Sequence, residues 1–349
     1  MLHATLPSLT PNQTGDILLI IPTTAFRTLL TAPTSISKAI GPITVHGLLA
    51  ANLALDASEF YAPWRTVLPT SEDIKESMPL LWPPQLQALL PVASASLLFN
   101  QQRKLSADWT AVSAAFPTLS YETYVYNWLL VNTRTFYFTS PKIKLKKPIN
   151  RDDCLALSPF ADYFNHADVS SASASFSSRG YTITASQSIK KGEEVYISYG
   201  NHSNDFLLAE YGFVLQHNKW DEIALDEFLW PLFNEKQKRR LEETGFWGKY
   251  VLDAEGLCYR TQVALRILCM PVTQWQRLVD TELEDDDNHQ GAVDEILLGM
   301  LKKYLEGAEG KLKTLKELEC GLPSQKETLS RRWNQIRLLL STAVNRIES

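Results

Sequence analysis

The chain has 349 residues, 45% hydrophobic and 21% charged, an ordinary balance for a protein that buries a substantial core. That length suits two domains, or one domain carrying a large insertion. A net charge of −5 argues against a nucleic-acid surface as the main purpose, because neutralising phosphates takes clustered Lys and Arg, but it leaves a basic protein open as a partner.

In chain order, "GDILLIIP" (15–22) is a short aliphatic run between Gly and Pro and predicts a buried strand. Over about 45–125, "HGLLAANLALDA", "PQLQALLPVASASLLFNQQRKL" and "YETYVYNWLLVNTRTFYF" carry apolar residues at helical spacing, broken by prolines. This predicts a helical insertion. Strand signals return over 154–199, where "YTITASQSI" and "VYISY" alternate around the charged turn "KKGEE". From residue 216 the pattern is helical to the end, and Leu329, Trp333, Ile336, Leu340, Val344 and Ile347 form one stripe. The acidic run at 282–295 is most simply a solvated loop. The expected fold class is therefore α+β, with a β-rich domain over 1–215 and an all-helical domain over 216–349.

Cys154, Cys258, Cys269 and Cys320 are widely spaced, without a Cys-x-x-Cys pair, which suggests neither a zinc cluster nor a disulfide scaffold. No basic segment followed by an apolar run opens the sequence, and its longest apolar stretches are too short for a bilayer. A reduced, intracellular protein of the cytoplasm or nucleus, with no membrane association, is expected.

The chemistry-bearing residues gather in "ADYFNHADVS" (161–170) and "ISYGNHSNDFLLAEYGFV" (197–214). Metal is one reading, with His166, His202, Asp162, Asp168 and Asp205 as ligand types. No His-x-x-x-His or similar pair supports it, and capping or hydrogen bonding is the plainer role for these Asn and His residues. No metal is expected. A Gly-x-Ser-x-Gly elbow and the glycine-rich phosphate loops are both missing. Taken singly, Tyr199, Tyr211 and Phe213 read as core, Asp162 and Asn165 as turn caps, and Arg134 as a helix ion-pair partner.

Taken together, "FADYFNHAD", "KKGEEVYISYGNHSNDFLLAEYGFV" and the upstream "VNTRTFYF" resemble the SET-domain protein methyltransferases. The resemblance is to the subgroup similar to the Rubisco large-subunit lysine methyltransferase, which has a helical insert and a helical C-terminal domain. "WRTVLP", "LLWPPQLQAL", "QVALRIL" and "SRRWNQIRLLL" extend it over nearly the whole chain. It implies S-adenosylmethionine as cofactor, held by Arg134, Asp162, Asn165 and His166, with Tyr199 as the catalytic tyrosine beside it. Tyr211 and Phe213 would wall the substrate channel, and Asn201-His202 would be a loop feature. The implied activity is N-methylation of lysine in a non-histone protein, with a histone, or histidine as the methylated residue, as alternatives. A monomer without direct nucleic-acid binding is expected, its helical domain presenting a protein substrate, ribosomal or translation-related by analogy with the family.

The family opens with a glycine-rich segment, roughly Arg-Gly-Leu followed by Ala-Thr. Here "HAT" (3–5) resembles its end, and the glycines are not in the sequence. An inactive SET-fold interaction module is therefore the alternative expectation.

Overall fold

The computed structural model describes residues 12–139, 154–177, 180–281 and 289–349. The fold is α+β and divides into two compact units, neither a single stretch of chain. The first takes its described residues from Met1–Leu81, Ser96–Asn201 and Leu208–Leu215, and the second from Trp82–Ala95, His202–Leu207 and Gln216–Ser349.

In the first unit the described strands are β1 (Ile17–Pro22), β2 (Arg27–Thr28), β3 (Thr135–Tyr137), β4 (Leu155–Leu157), β5 (Asn165–His166), β6 (Ala172–Ser177), β7 (Gly180–Ala185) and β8 (Tyr196–Ile197). They form two antiparallel sheets, in the orders β1-β7-β6 and β2-β4-β3, and one parallel pair, β5-β8. The aliphatic run at 17–22 forms β1, but not the buried strand expected. Among the described residues it lies at the edge of its sheet, and Ile17 and Ile20 stay 60% and 54% exposed while Ile21 is buried. A continuous apolar run does not say whether a strand has one neighbour or two. Phe26, Phe164, Tyr181, Ile183 and Ile197 close the core over these sheets.

The helices of this unit begin where the sequence supplies caps. The Thr44 hydroxyl accepts from the Gly47 N–H at 2.9 Å, and the Ser120 hydroxyl accepts from the Thr123 N–H at 3.1 Å. The two helices they open, Val45–Ala54 and Tyr121–Arg134, pack together around Leu49, Trp64, Met78 and Leu129. Within that packing His46 is buried. Its Nε2–H donates to the Trp128 carbonyl at 2.9 Å, and its ring stacks on Trp128 at 4.0 Å.

Burial lowers the His46 pKa from 6.5 to about 3, with Lys104 adding to the fall and the Trp128 bond opposing it. The unfolded chain therefore takes up a proton that the folded chain refuses. This contribution to stability is complete above the unfolded pKa and is lost as pH falls from about 6.5 toward 3, on the order of 5 kcal/mol in full. Nearby Asp108 has its carboxyl raised by burial and titrates in the opposite sense, so the informative quantity is a difference between variants. His46→Gln keeps a donor for Trp128 and should flatten the acid side of the melting-temperature profile. An unchanged slope would refute the assignment.

In the second unit β9 (Glu222–Ala224) pairs with β10 (Val251–Asp253), and two long helices, Gln290–Glu317 and Pro323–Glu348, pack along each other. Leu329, Trp333, Ile336, Leu340 and Val344 of the predicted stripe are buried. Beside them, fully buried Arg332 donates from Nε and Nη2 to Asp205 at 2.9 and 3.0 Å, and from Nη1 to Asp221 at 2.7 Å.

Candidate active site

The site is built in the first unit from four segments. The helix Tyr121–Arg134 ends at Arg134 and runs directly into β3, so the guanidinium sits where helix becomes sheet. Phe160, at a φ of 69°, turns the chain after β4 into a short 3-10 turn, Ala161–Tyr163, that carries Asp162. Next comes β5, Asn165–His166, pairing in parallel with β8: Asn165 lies opposite Tyr196 and His166 opposite Ile197. Tyr199 follows two residues after β8. Tyr211 ends the helix Asn204–Tyr211, and Phe213 comes after Gly212.

Arg134 Nη1 donates to the Asp162 carboxylate at 3.1 Å and to its carbonyl at 2.9 Å. The Trp64 indole N–H donates to the same carboxylate at 3.2 Å. Burial pushes the Asp162 carboxyl up, while Arg134 and Trp64 oppose that rise. The Nε of Arg134 is buried without a partner among the described residues, so this guanidinium keeps a donor for something else. His166 is buried, and its Nδ1 accepts the Tyr199 backbone N–H at 3.1 Å, which puts the proton of the neutral ring on Nε2. Its ring stacks on Tyr199 at 5.1 Å, Tyr199 lies 5.0 Å from Tyr211, and Phe213 is 6.2 Å from Tyr211.

The Tyr199 hydroxyl donates to the Phe164 carbonyl at 2.8 Å. Burial holds it well above the ordinary phenol range, so it stays protonated at neutral pH. Burial also pushes the Tyr211 hydroxyl up to about 12.

Two hollows, of about 500 Å³ and 480 Å³ including the space open to solvent, share Arg134, Asp162, Tyr199 and Tyr211 as a wall. Thr135, Phe136, Tyr137 and Ser198 complete the first, and Ile74, Met78, Asn165 and Phe213 complete the second.

All seven residues singled out in the sequence, Arg134, Asp162, Asn165, His166, Tyr199, Tyr211 and Phe213, come together here. The dull reading of Arg134 fails in detail, since its acid lies on another segment. His202 and Asp205, weighed as metal ligands, belong to the second unit, where His202 stacks on Phe206 at 4.1 Å and Asp205 receives Arg332. Among the described residues no group of three His, Cys, Asp or Glu side chains is placed to hold a metal. "HAT" (3–5) lies outside the described residues. Sequence reasoning missed Trp64 and Glu194. Trp64 is 98 positions from Asp162, and "WRTVLP" marked it only as part of the resemblance, whereas Glu194 was visible only as part of the charged turn "KKGEE".

Gly212 sets the spacing of the two aromatic walls. Its φ is +79°, and a Cβ there would stand 2.7 Å from the Ser77 carbonyl oxygen. Left-handed strain and a backbone clash together put Gly212→Ala at about 2–4 kcal/mol of destabilisation. A denaturation midpoint within error of the parent's would show that the turn relaxes freely.

Comparison with known families decides the class. The SET domain profile matches residues 51–200. Those residues are similar to the SET domain. A second profile, the ribosomal lysine N-methyltransferase 2 C-terminal domain, matches residues 221–346. Among curated relatives, this chain is 34% identical to ribosomal lysine N-methyltransferase set11 of Schizosaccharomyces pombe over 52% of its own length and 46% of the relative's. Against SET domain-containing protein 4 of Mus musculus the identity is 27% over 95% of this chain and 82% of the other. Against ribosomal lysine N-methyltransferase 2 of Saccharomyces cerevisiae it is 26% over 75% and 63%. The chain thus spans from about half to four fifths of these relatives. The solved structure of Rubisco LSMT bound to AdoMet superposes with a TM-score of 0.64 at 15% identity, over 99% of this chain and 84% of that one. That likeness shows a shared fold and nothing more.

Proposed function

We propose that this protein is an S-adenosylmethionine-dependent protein-lysine N-methyltransferase acting on a non-histone substrate. The observation that carries the reading is the Tyr199 hydroxyl, enclosed on the wall shared by the two hollows and donating to the Phe164 carbonyl. Because its proton is committed there, Tyr199 can only accept from a further donor. A neutral lysine amine lying in the Phe136–Tyr137 hollow has such a proton to give. That bond turns the nitrogen lone pair and fixes the approach, and alignment of this kind accounts for much of the rate in a displacement reaction.

The second hollow has the groups the cofactor needs. Arg134, with its buried unpartnered Nε, suits a carboxylate. Asn165 and Asp162 supply polar contacts, Ile74, Met78 and Phe213 offer apolar surface to an adenine ring, and His166 backs the wall through its stack on Tyr199. S-adenosylmethionine, when bound, supplies a sulfonium-activated methyl group for transfer to the lysine nitrogen. Holding a lysine neutral at pH 7 costs on the order of 4–5 kcal/mol in water. Removal from water and the nearby Arg134 guanidinium both disfavour an ammonium ion, which offsets part of that cost. Tyr199 is not the base, since its own proton is held tightly. Two relatives are named as ribosomal lysine N-methyltransferases, which supports a ribosomal protein as the substrate.

Titration calorimetry with S-adenosylhomocysteine should show micromolar binding that His166→Ala weakens. Incubation with labelled S-adenosylmethionine and a ribosomal protein fraction should place the label on lysine by mass spectrometry. Absence of cofactor binding would remove the reading, and label on histidine would change the target residue.

A further inference from the structure

β5 and β8 pair over only two residues, too few for backbone bonding alone to fix their register. Side chains complete the job at both ends. At one end the Tyr199 N–H donates to His166 Nδ1. At the other, half-buried Glu194 reaches both members of a single register pair: Oε1 accepts from Asn165 Nδ2 at 2.6 Å, and Oε2 accepts from the Tyr196 hydroxyl at 2.7 Å. Both bonds are short, as charge-assisted bonds are.

From this geometry we infer that Glu194 is a positioning residue of the cofactor site, and that it fixes which end of the Asn165 amide is available to a ligand. A carboxylate accepts and does not donate, so the atom facing Glu194 is the amide nitrogen and Oδ1 is left as the acceptor end. Asn165 lines the second hollow. An amide held in this polarity favours a cationic partner, and the α-ammonium of the cofactor's amino-acid end has that chemistry. Tyr196 holds the second carboxylate oxygen and keeps Glu194 from swinging away. The inference rests on the reading proposed above, and it adds that the "KKGEEVY" segment has a role in cofactor selection rather than serving as a turn alone.

Glu194→Gln separates the two. A glutamine side chain has nearly the same shape and can donate to Asn165, allowing the amide to turn over. Binding of S-adenosylhomocysteine should weaken about tenfold to a hundredfold. Binding of its deaminated analogue, which has no α-ammonium, should stay within about twofold of the parent, since the affected contact is missing. The melting temperature serves as the check on folding. Tyr196→Phe keeps the bond from Asn165 and removes the second anchor, so it should show the same pattern with a smaller loss, and it serves if Glu194→Gln fails to fold.

Equal losses for both ligands would mean that Glu194 only supports the fold and would overturn the inference. So would unchanged binding of both. If the unsubstituted protein bound neither ligand, the proposed function itself would fall, and this inference with it.

Discussion

Tyr199→Phe should lower the rate of methyl transfer by about two to three orders of magnitude while leaving cofactor affinity within a factor of about two. The substitution removes one oxygen and nothing else. The ring keeps its stack on His166 and its contact with Tyr211, and the Tyr199 backbone still donates to His166. What disappears is the acceptor that orients the amine, an interaction that matters when the nitrogen is about to react. Single-turnover rates beside calorimetric binding would separate the two effects. A variant with near-parental turnover would show that alignment comes from the walls alone, and the role assigned to Tyr199 would have to be abandoned.

The second large effect lies in the other unit. Arg332 is fully buried, and it satisfies two carboxylates while also donating from Nη2 to the Glu222 carbonyl at 3.2 Å. Arg332→Met fills a similar volume but leaves Asp205 and Asp221 without their cation, which should cost about 3–5 kcal/mol. Arg332→Lys keeps the charge and loses the fork, so it should fall between the two. Adding Asp205→Asn to Arg332→Met should recover part of the loss, because one stranded charge goes with it. Urea midpoints would measure all three. A loss below about 1 kcal/mol for the methionine variant would mean that water reaches these carboxylates, contrary to their burial.

Much of the site was legible because it is carried by two short segments. Asn165-His166 and the run from Tyr199 to Phe213 each hold several of the relevant side chains within a few positions, so the sequence displays the cluster almost as the fold does. The aliphatic run of β1 showed the limit of pattern, since composition marks a strand without saying where it lies in a sheet. Trp64 and Asp162, 98 positions apart, are joined only by tertiary packing. Glu194 is a different kind of miss. Its neighbours Lys190, Lys191 and Glu193 are exposed, and a charge in such company reads as solvated until the structure shows it facing the other way. The membership of Trp82–Ala95 and His202–Leu207 in the second unit has the same cause, because nothing in a helical period names the partner that will cover it.

The two-residue ladder between β5 and β8 has a consequence for the fate of the protein. A joint with so little backbone pairing opens easily by itself. A small molecule gripping Asn165 and His166 would act there as a keystone. At a concentration one hundred times its dissociation constant, such a molecule adds about 2.7 kcal/mol to the folded state. On the activity proposed above, scarcity of the methyl donor would then do more than halt the reaction. It would shorten the protein's life, tying its amount in a cell to the supply of the cofactor.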